Sequence, residues 1–246
     1  MPSAAPVADP PAPIEPTAKP IEYPDSDGQP MADNTKQFRW ITVLQYNLEW
    51  IFAQDPQVFV AGDLLWYPVE GNNKIRQAPD VMVIFGVPKG DRGSYQQWKE
   101  NGIAPQVVFE ILSPGNTLKE MQRKLIFYDR YGVEEYYLYD PDRNDLSGCM
   151  RTETGDLEVI EPLGNWVSPR LGICFNPTED GLQVLRPDGT PFTSYTEISQ
   201  QLEQERERAE QERERAEQER ERAEQERERA DRLAQRLREL GFEPED

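Results

Sequence analysis

An α/β domain followed by a long charged helix is the fold class that the sequence predicts. Three observations predict it. Runs of apolar, β-prone residues alternate with helix-periodic segments between residues 34 and 140. One of these helical segments lies between two strand runs, as a strand-helix-strand crossover requires. From Gln204 onward the heptad QERERAE repeats almost without interruption to Arg229.

Three parts are expected: an arm over residues 1–30, a folded domain over 31–195 and a helical tail over 196–246. The arm is rich in Pro and Ala and poor in core residues, so it reads as a disordered, polyproline-prone segment. Its Tyr23-Pro24 end is placed on the domain surface. From Asn34 to Gln54, Phe38, Ile41, Leu44, Leu48 and Ile51 recur at spacings of three and four, with Asn34 or Thr35 as cap. Trp40, Val43 and Trp50 line an adjacent face, which predicts a helix sandwiched between layers.

Val58–Val69 reads as a strand region bent at Gly62. Ile75–Gly86 is a second strand region, and in DVMVIF the alternation puts Asp80, Met82 and Ile84 on one face. Pro88–Ala104 is a polar loop with a short helix, either touching substrate or merely solvated. Gln106–Leu112 is a third strand, apolar on both faces except at Glu110, which predicts a central position. A carboxylate there is costly unless it has a partner. Thr117 caps a helix whose stripe is Leu118, Met121, Leu125 and Tyr128. Lys124 sits at the margin of that stripe, where its stem can carry the ammonium inward or pair with Glu120. Gly132 ends the helix, and Glu135–Asp140 is a fourth strand. Short strands from Leu146 to Val184 read as antiparallel hairpins.

In the tail, Leu202, Ala209, Ala216, Ala223, Ala230 and Leu237 fall seven apart. The positions three residues later are Glu205, Glu212, Glu219 and Glu226, and only then Leu233 and Leu240. Such a seam suits either a solvated single helix held by Glu–Arg pairs or a weak coiled coil.

Composition narrows the chemistry. The chain of 246 residues carries a formal charge of −19 and no histidine. Histidine-based nucleophile systems, bases and zinc sites are thereby excluded. Cys149 and Cys174 stand alone and read as reduced core residues. The total charge argues against coating of nucleic acid by bulk attraction. Lys74–Arg130, however, holds nine Lys/Arg against six Asp/Glu, a local +3 where a phosphate backbone could dock. The N-terminus lacks a secretory pattern, and no apolar run is long enough to span a bilayer, so a cytoplasmic protein without membrane contact is expected.

Asp80 and Glu110 on neighbouring strands, with Lys124 from the next helix, are the parts needed for metal-assisted phosphodiester hydrolysis. Hard oxygen ligands suit Mg²⁺ or Mn²⁺, and an ammonium group can orient water or offset developing charge. Two rival readings use the same chain. One is a non-catalytic scaffold that keeps the fold and assembles through its C-terminal helix. The other is a phosphoesterase acting on small nucleotides.

Pro79-Asp80, FEILSPG at 109–115, RKLIFYDRYGVEEYYLYDP at 123–141 and AGDLLWYPVEG at 61–71 together resemble the Uma-two restriction endonuclease family of the PD-(D/E)xK nuclease superfamily. The resemblance spans about Tyr23 to Pro191. It implies a mixed sheet flanked by helices, a DNA substrate, Asp80 and Glu110 as metal ligands, and Glu49 completing the site. The superfamily pattern has lysine two residues after the second acid, where this chain has Leu112. The resemblance points to Lys124 as the substitute amine, with Gln122 and Arg123 as lesser candidates. A homodimer is expected, because two-strand cleavage commonly uses two active sites.

Overall fold

A computed structural model describes residues 21–28 and 30–240. The chain divides into two compact units, one ending at Phe192 and the other beginning at Thr193. The first unit is built on a six-stranded mixed sheet. Its strands are β1 (Val58–Gly62), β3 (Val81–Phe85), β5 (Val107–Ile111), β6 (Glu135–Asp140), β7 (Asp145–Arg151) and β8 (Leu157–Val159), in that spatial order. Within this sheet only β5 and β6 pair in parallel, and α2 (Leu118–Arg130) joins them. This is the crossover that the sequence predicts. The short strands β2 (Trp66–Tyr67) and β4 (Tyr95–Gln96) pair with each other, and β9 (Trp166–Val167), β10 (Cys174–Thr178) and β11 (Gly181–Leu185) form a small antiparallel sheet.

Strand alternation sorts the core onto two faces. Val81, Val83, Val107, Phe109 and Ile111 pack against Ile41, Leu44 and Leu48 of α1 (Thr35–Ile51), with Phe175, Leu182 and Val184 of the small sheet. Met82, Ile84 and Val108 pack the opposite way, with Tyr128 of α2 and with Trp66 and Tyr95. β5 is buried along its whole length, as a central strand covered on both faces must be.

Both helix starts are capped. The Asn34 side chain accepts from the amides of Lys36 and Gln37, each at 2.9 Å. Thr117 accepts from the Glu120 amide at 3.2 Å. Asn34→Ala is expected to cost about 1 kcal/mol in a denaturant titration, the usual worth of a cap.

Two helix faces differ from expectation. Trp50 is 61% exposed, with the Arg186 guanidinium 4.6 Å above its ring, and Phe38 is exposed as well. α1 is covered on one side only. Leu118 is 76% exposed, whereas Met121 and Tyr128 of the same predicted stripe are buried. Among the described residues no helix is long and apolar enough to cross a membrane.

The segment 21–28 lies against the domain. Tyr23 packs between Tyr67 and Trp98, its hydroxyl accepts from the Gly71 amide at 2.6 Å, and the Pro24 carbonyl accepts from Tyr67 at 2.7 Å. Residues 1–20 of the expected arm fall outside the described residues. In the second unit, α3 (Tyr195–Glu239) is one continuous helix with Ser194 and Glu197 forming a capping box.

Candidate active site

The site is set by strand register. β3 and β5 run antiparallel with Val81 opposite Phe109 and Met82 opposite Val108. One step further along both strands, Asp80 faces Glu110. Directly opposed residues share a face with Cβ atoms about 5 Å apart, and here that face is the one α2 covers. Asp80 also binds the partner strand, as its Oδ2 accepts from the Ile111 amide at 2.6 Å.

Glu110 is 2% exposed, and both of its oxygens are engaged. The Lys124 ammonium donates to Oε2 at 2.7 Å. The Tyr128 hydroxyl, one helical turn further along α2, donates to Oε1. The i,i+4 spacing of Lys124 and Tyr128 brings both onto the same stretch of the helix face. Tyr128 therefore has two parts: its ring belongs to the core and its hydroxyl holds the carboxylate. The sequence pattern shows only the first.

Burial and crowding shift these groups. Burial and then the Glu110 carboxylate push the Asp80 carboxyl up to about 8, against the lowering effects of Lys124 and the Ile111 amide. Glu110 is raised by burial, and Lys124 and Tyr128 only partly offset this. For Lys124, burial favours the neutral amine, but the surrounding carboxylates, Glu110 foremost, outweigh it and the net shift is upward. Lys124 thus stays an ammonium group at any ordinary pH.

Asp80 and Lys124 open into a cleft of about 330 Å³. Its near wall comes from the N-terminal segment, with Asp27, Met31 and Asp33. Asp33 accepts from the Ser113 hydroxyl at 2.5 Å, which ties that wall to the turn between β5 and α2. Gln37 bridges the same region by donating to the Ile111 carbonyl at 2.9 Å. Arg76 and Lys124 are the cationic residues of the lining, against the carboxylates of Asp27, Asp33, Asp63, Asp80 and Glu120.

Asp63 is a residue that sequence reasoning missed. It follows Gly62 at the end of β1, and its backbone is left-handed, with φ 47°. Non-glycine residues in that region are uncommon and tend to mark sites. Burial, then Asp27 and Glu110, raise its carboxyl, while Lys124 lowers it.

The structure therefore brings Asp80, Glu110 and Lys124 together. Glu49 and Gln122 do not line the cleft. Glu49 sits on α1 and accepts from Gln45 at 3.3 Å. Gln122 and Arg123 are on the exposed side of α2. The 88–104 segment lies elsewhere too: Tyr95 is buried beside Trp66, and no residue of the segment lines the cleft.

The sequence model of the family described as "Uma2: Putative restriction endonuclease" matches residues 12–176. Among solved structures, a protein from Anabaena variabilis ATCC 29413 described as a putative nuclease belonging to DUF820 is 15% identical. The alignment covers 55% of this chain and 72% of that one, with a TM-score of 0.42. No curated protein matches. The family match takes in well over half of the sequence, including Asp80, Glu110 and Lys124, and the chain belongs to the Uma2 restriction endonuclease family.

Proposed function

We propose that this chain is a divalent-metal-dependent nuclease that hydrolyses DNA phosphodiester bonds at the Asp80–Glu110–Lys124 cluster. One observation carries the proposal: a buried carboxylate on the central strand meets the ammonium of the following helix at 2.7 Å, beside a second carboxylate that opens into a cleft. Family membership supports a nuclease.

The residues fit a hard divalent cation. Among the described residues no group of three or more Asp, Glu, Cys or His stands at ligand spacing. Mg²⁺ does not need one, since it is usually held by one or two carboxylates with waters and substrate phosphates. Asp80 and Glu110 would hold it. Burial is the first cause of both raised carboxyls, and the Glu110 charge adds to it at Asp80, so a cation there would favour the ionised forms. A bound Mg²⁺ or Mn²⁺ would polarise the scissile phosphate and offset its charge.

The chain's own groups supply the rest. Lys124 is held charged, so it acts as a donor and not as a base. One N–H is spent on Glu110, and the others can orient water or stabilise charge developing on the phosphate. Tyr128 is a positioning residue, because it fixes the Glu110 carboxylate from the protein side. The acidic lining would repel a phosphate backbone, so cation binding should come before substrate binding.

Calorimetric titration with Mg²⁺ tests this. Asp80 keeps its proton up to about pH 8, so the ion must displace a proton below that pH. Affinity should rise with pH by up to tenfold per unit and level off above about 8. An affinity that does not change with pH, or no binding in wild type, would contradict the proposed site.

A second reading keeps one observation on its side. The cleft is small, about 330 Å³, which suits a phosphoester of a small nucleotide better than a duplex. Hydrolysis of mono- and dinucleotides with intact plasmid would favour that reading; plasmid cleavage favours the first.

A further inference from the structure

The long helix α3 carries an apolar seam that has no partner. Tyr195, Ile198 and Leu202 at its start, and Leu233, Leu237 and Leu240 at its end, are 45–79% exposed. These residues and the alanines between them follow a single heptad register over the whole helix. One seam position runs Tyr195, Leu202, Ala209, Ala216, Ala223, Ala230, Leu237. The other runs Ile198, Glu205, Glu212, Glu219, Glu226, Leu233, Leu240. A solvated single helix held by Glu–Arg pairs gives no reason for leucines at both ends of one stripe, since unpaired apolar side chains there gain nothing from water.

We propose that α3 pairs with α3 of a second copy of the chain, antiparallel and overlapping along its full length. The seam is complementary to its own reversal. Tyr195 faces Leu240, Ile198 faces Leu237 and Leu202 faces Leu233. Further in, Glu205 faces Ala230, Ala209 faces Glu226, Glu212 faces Ala223 and Ala216 faces Glu219. The twofold relation repeats every one of these layers at the other end. Apolar residues meet apolar residues at both ends, and each seam carboxylate meets the methyl group of an alanine.

The parallel pairing fails on charge. In register, it would place Glu205, Glu212, Glu219 and Glu226 each against its own copy, four successive like-charge layers at positions that a coiled coil buries. The antiparallel pairing removes all four. Alanine leaves room for each glutamate to turn outward, and arginines flank it on its own helix, as Arg208 and Arg215 flank Glu212 at spacings of four and three. Sliding the helices by one heptad keeps the glutamate–alanine layers but uncouples apolar residues at the ends, so the ends fix the register. At 1.5 Å per residue, the N-terminal ends of the paired helices lie about 65 Å apart.

Full-length variants Ile198→Cys and Leu237→Cys test the orientation, with wild type, which carries Cys149 and Cys174, as the cross-linking background. Both positions are exposed in the helix, so the substitutions leave the folded domain untouched. Oxidation of the two variants mixed after exchange should give a disulfide-linked dimer, while each variant oxidised alone should stay at the wild-type background. Light scattering on wild type should give the mass of two chains, and Leu202→Glu with Leu233→Glu should give one. Self-cross-linking of Ile198→Cys would show a parallel pair and overturn the proposal, as would a wild-type monomer or a mass above two chains.

Discussion

Lys124→Met will both destabilise the domain and abolish its nuclease activity, and adding Glu110→Gln will restore only the stability. The ion pair between Lys124 and Glu110 spans 2.7 Å, and the carboxylate is buried while the ammonium is 13% exposed to the cleft. Removing one partner of a buried pair leaves the other charge without compensation. That costs about 3–5 kcal/mol in a closed interior. The opening of Lys124 to the cleft reduces this to about 2–4 kcal/mol, or a Tm lower by about 5–15 °C. Glu110→Gln removes the stranded charge and keeps an acceptor for the Tyr128 hydroxyl, so the double variant should recover most of the loss. Activity will not recover. The single variant lacks the charged donor proposed to act on the phosphate, worth about 10²–10³-fold in rate, and the double variant lacks a proposed metal ligand as well. Thermal melts and rate measurements on the three variants check the pattern. Stability unchanged in Lys124→Met would show that the pair contributes little.

Asp80→Asn should do the opposite: it will raise stability and remove the response to Mg²⁺. The folded-state carboxyl lies near 8, above its ordinary 3.8. The folded chain therefore binds this proton more tightly than the unfolded chain. Its stability falls as pH rises from about 4 to about 8. Asparagine keeps an oxygen for the Ile111 amide, which now donates at 2.6 Å, and carries no charge. The gain should be absent near pH 4, grow with pH, and reach about 1–3 kcal/mol at neutral pH, a few degrees in Tm. If Mg²⁺ binds at the proposed site, it should stabilise wild type by mass action, and in Asp80→Asn that increment should vanish. A variant less stable than wild type at pH 7.5 would show that Asp80 is held by contacts stronger than its crowding.

Much of this site is legible in the sequence because its parts are unusual where they stand. A glutamate inside VVFEIL and a Pro-Asp pair opening an apolar run both conflict with burial unless something compensates them. A lysine at the margin of the next helix's apolar stripe is the nearest candidate. Their meeting depends on the pairing of Val81 with Phe109, which no local pattern encodes. Asp63 was hidden because a left-handed backbone after Gly62 leaves no periodic trace. The wall formed by Asp27, Met31 and Asp33 was hidden because Pro-rich composition marks the absence of regular structure and not the absence of contact. Periodicity also overreached. It grouped Trp50 and Leu118 with their neighbours, but it does not tell whether a second layer covers them, and both are exposed. The heptad tail was legible as a helix from its repeat alone. The antiparallel direction proposed for its pairing depends on comparing both ends of α3, Tyr195 and Ile198 included.

Cleavage of supercoiled plasmid in Mg²⁺ or Mn²⁺ tests the central claim most directly, with wild type beside Asp80→Asn, Glu110→Gln and Lys124→Ala. The account predicts nicked and linear products from wild type, none with a chelator, and loss in all three variants, with helix and sheet content unchanged by circular dichroism. Intact plasmid from folded, metal-supplied wild type, or undiminished cleavage by Asp80→Asn, would contradict it.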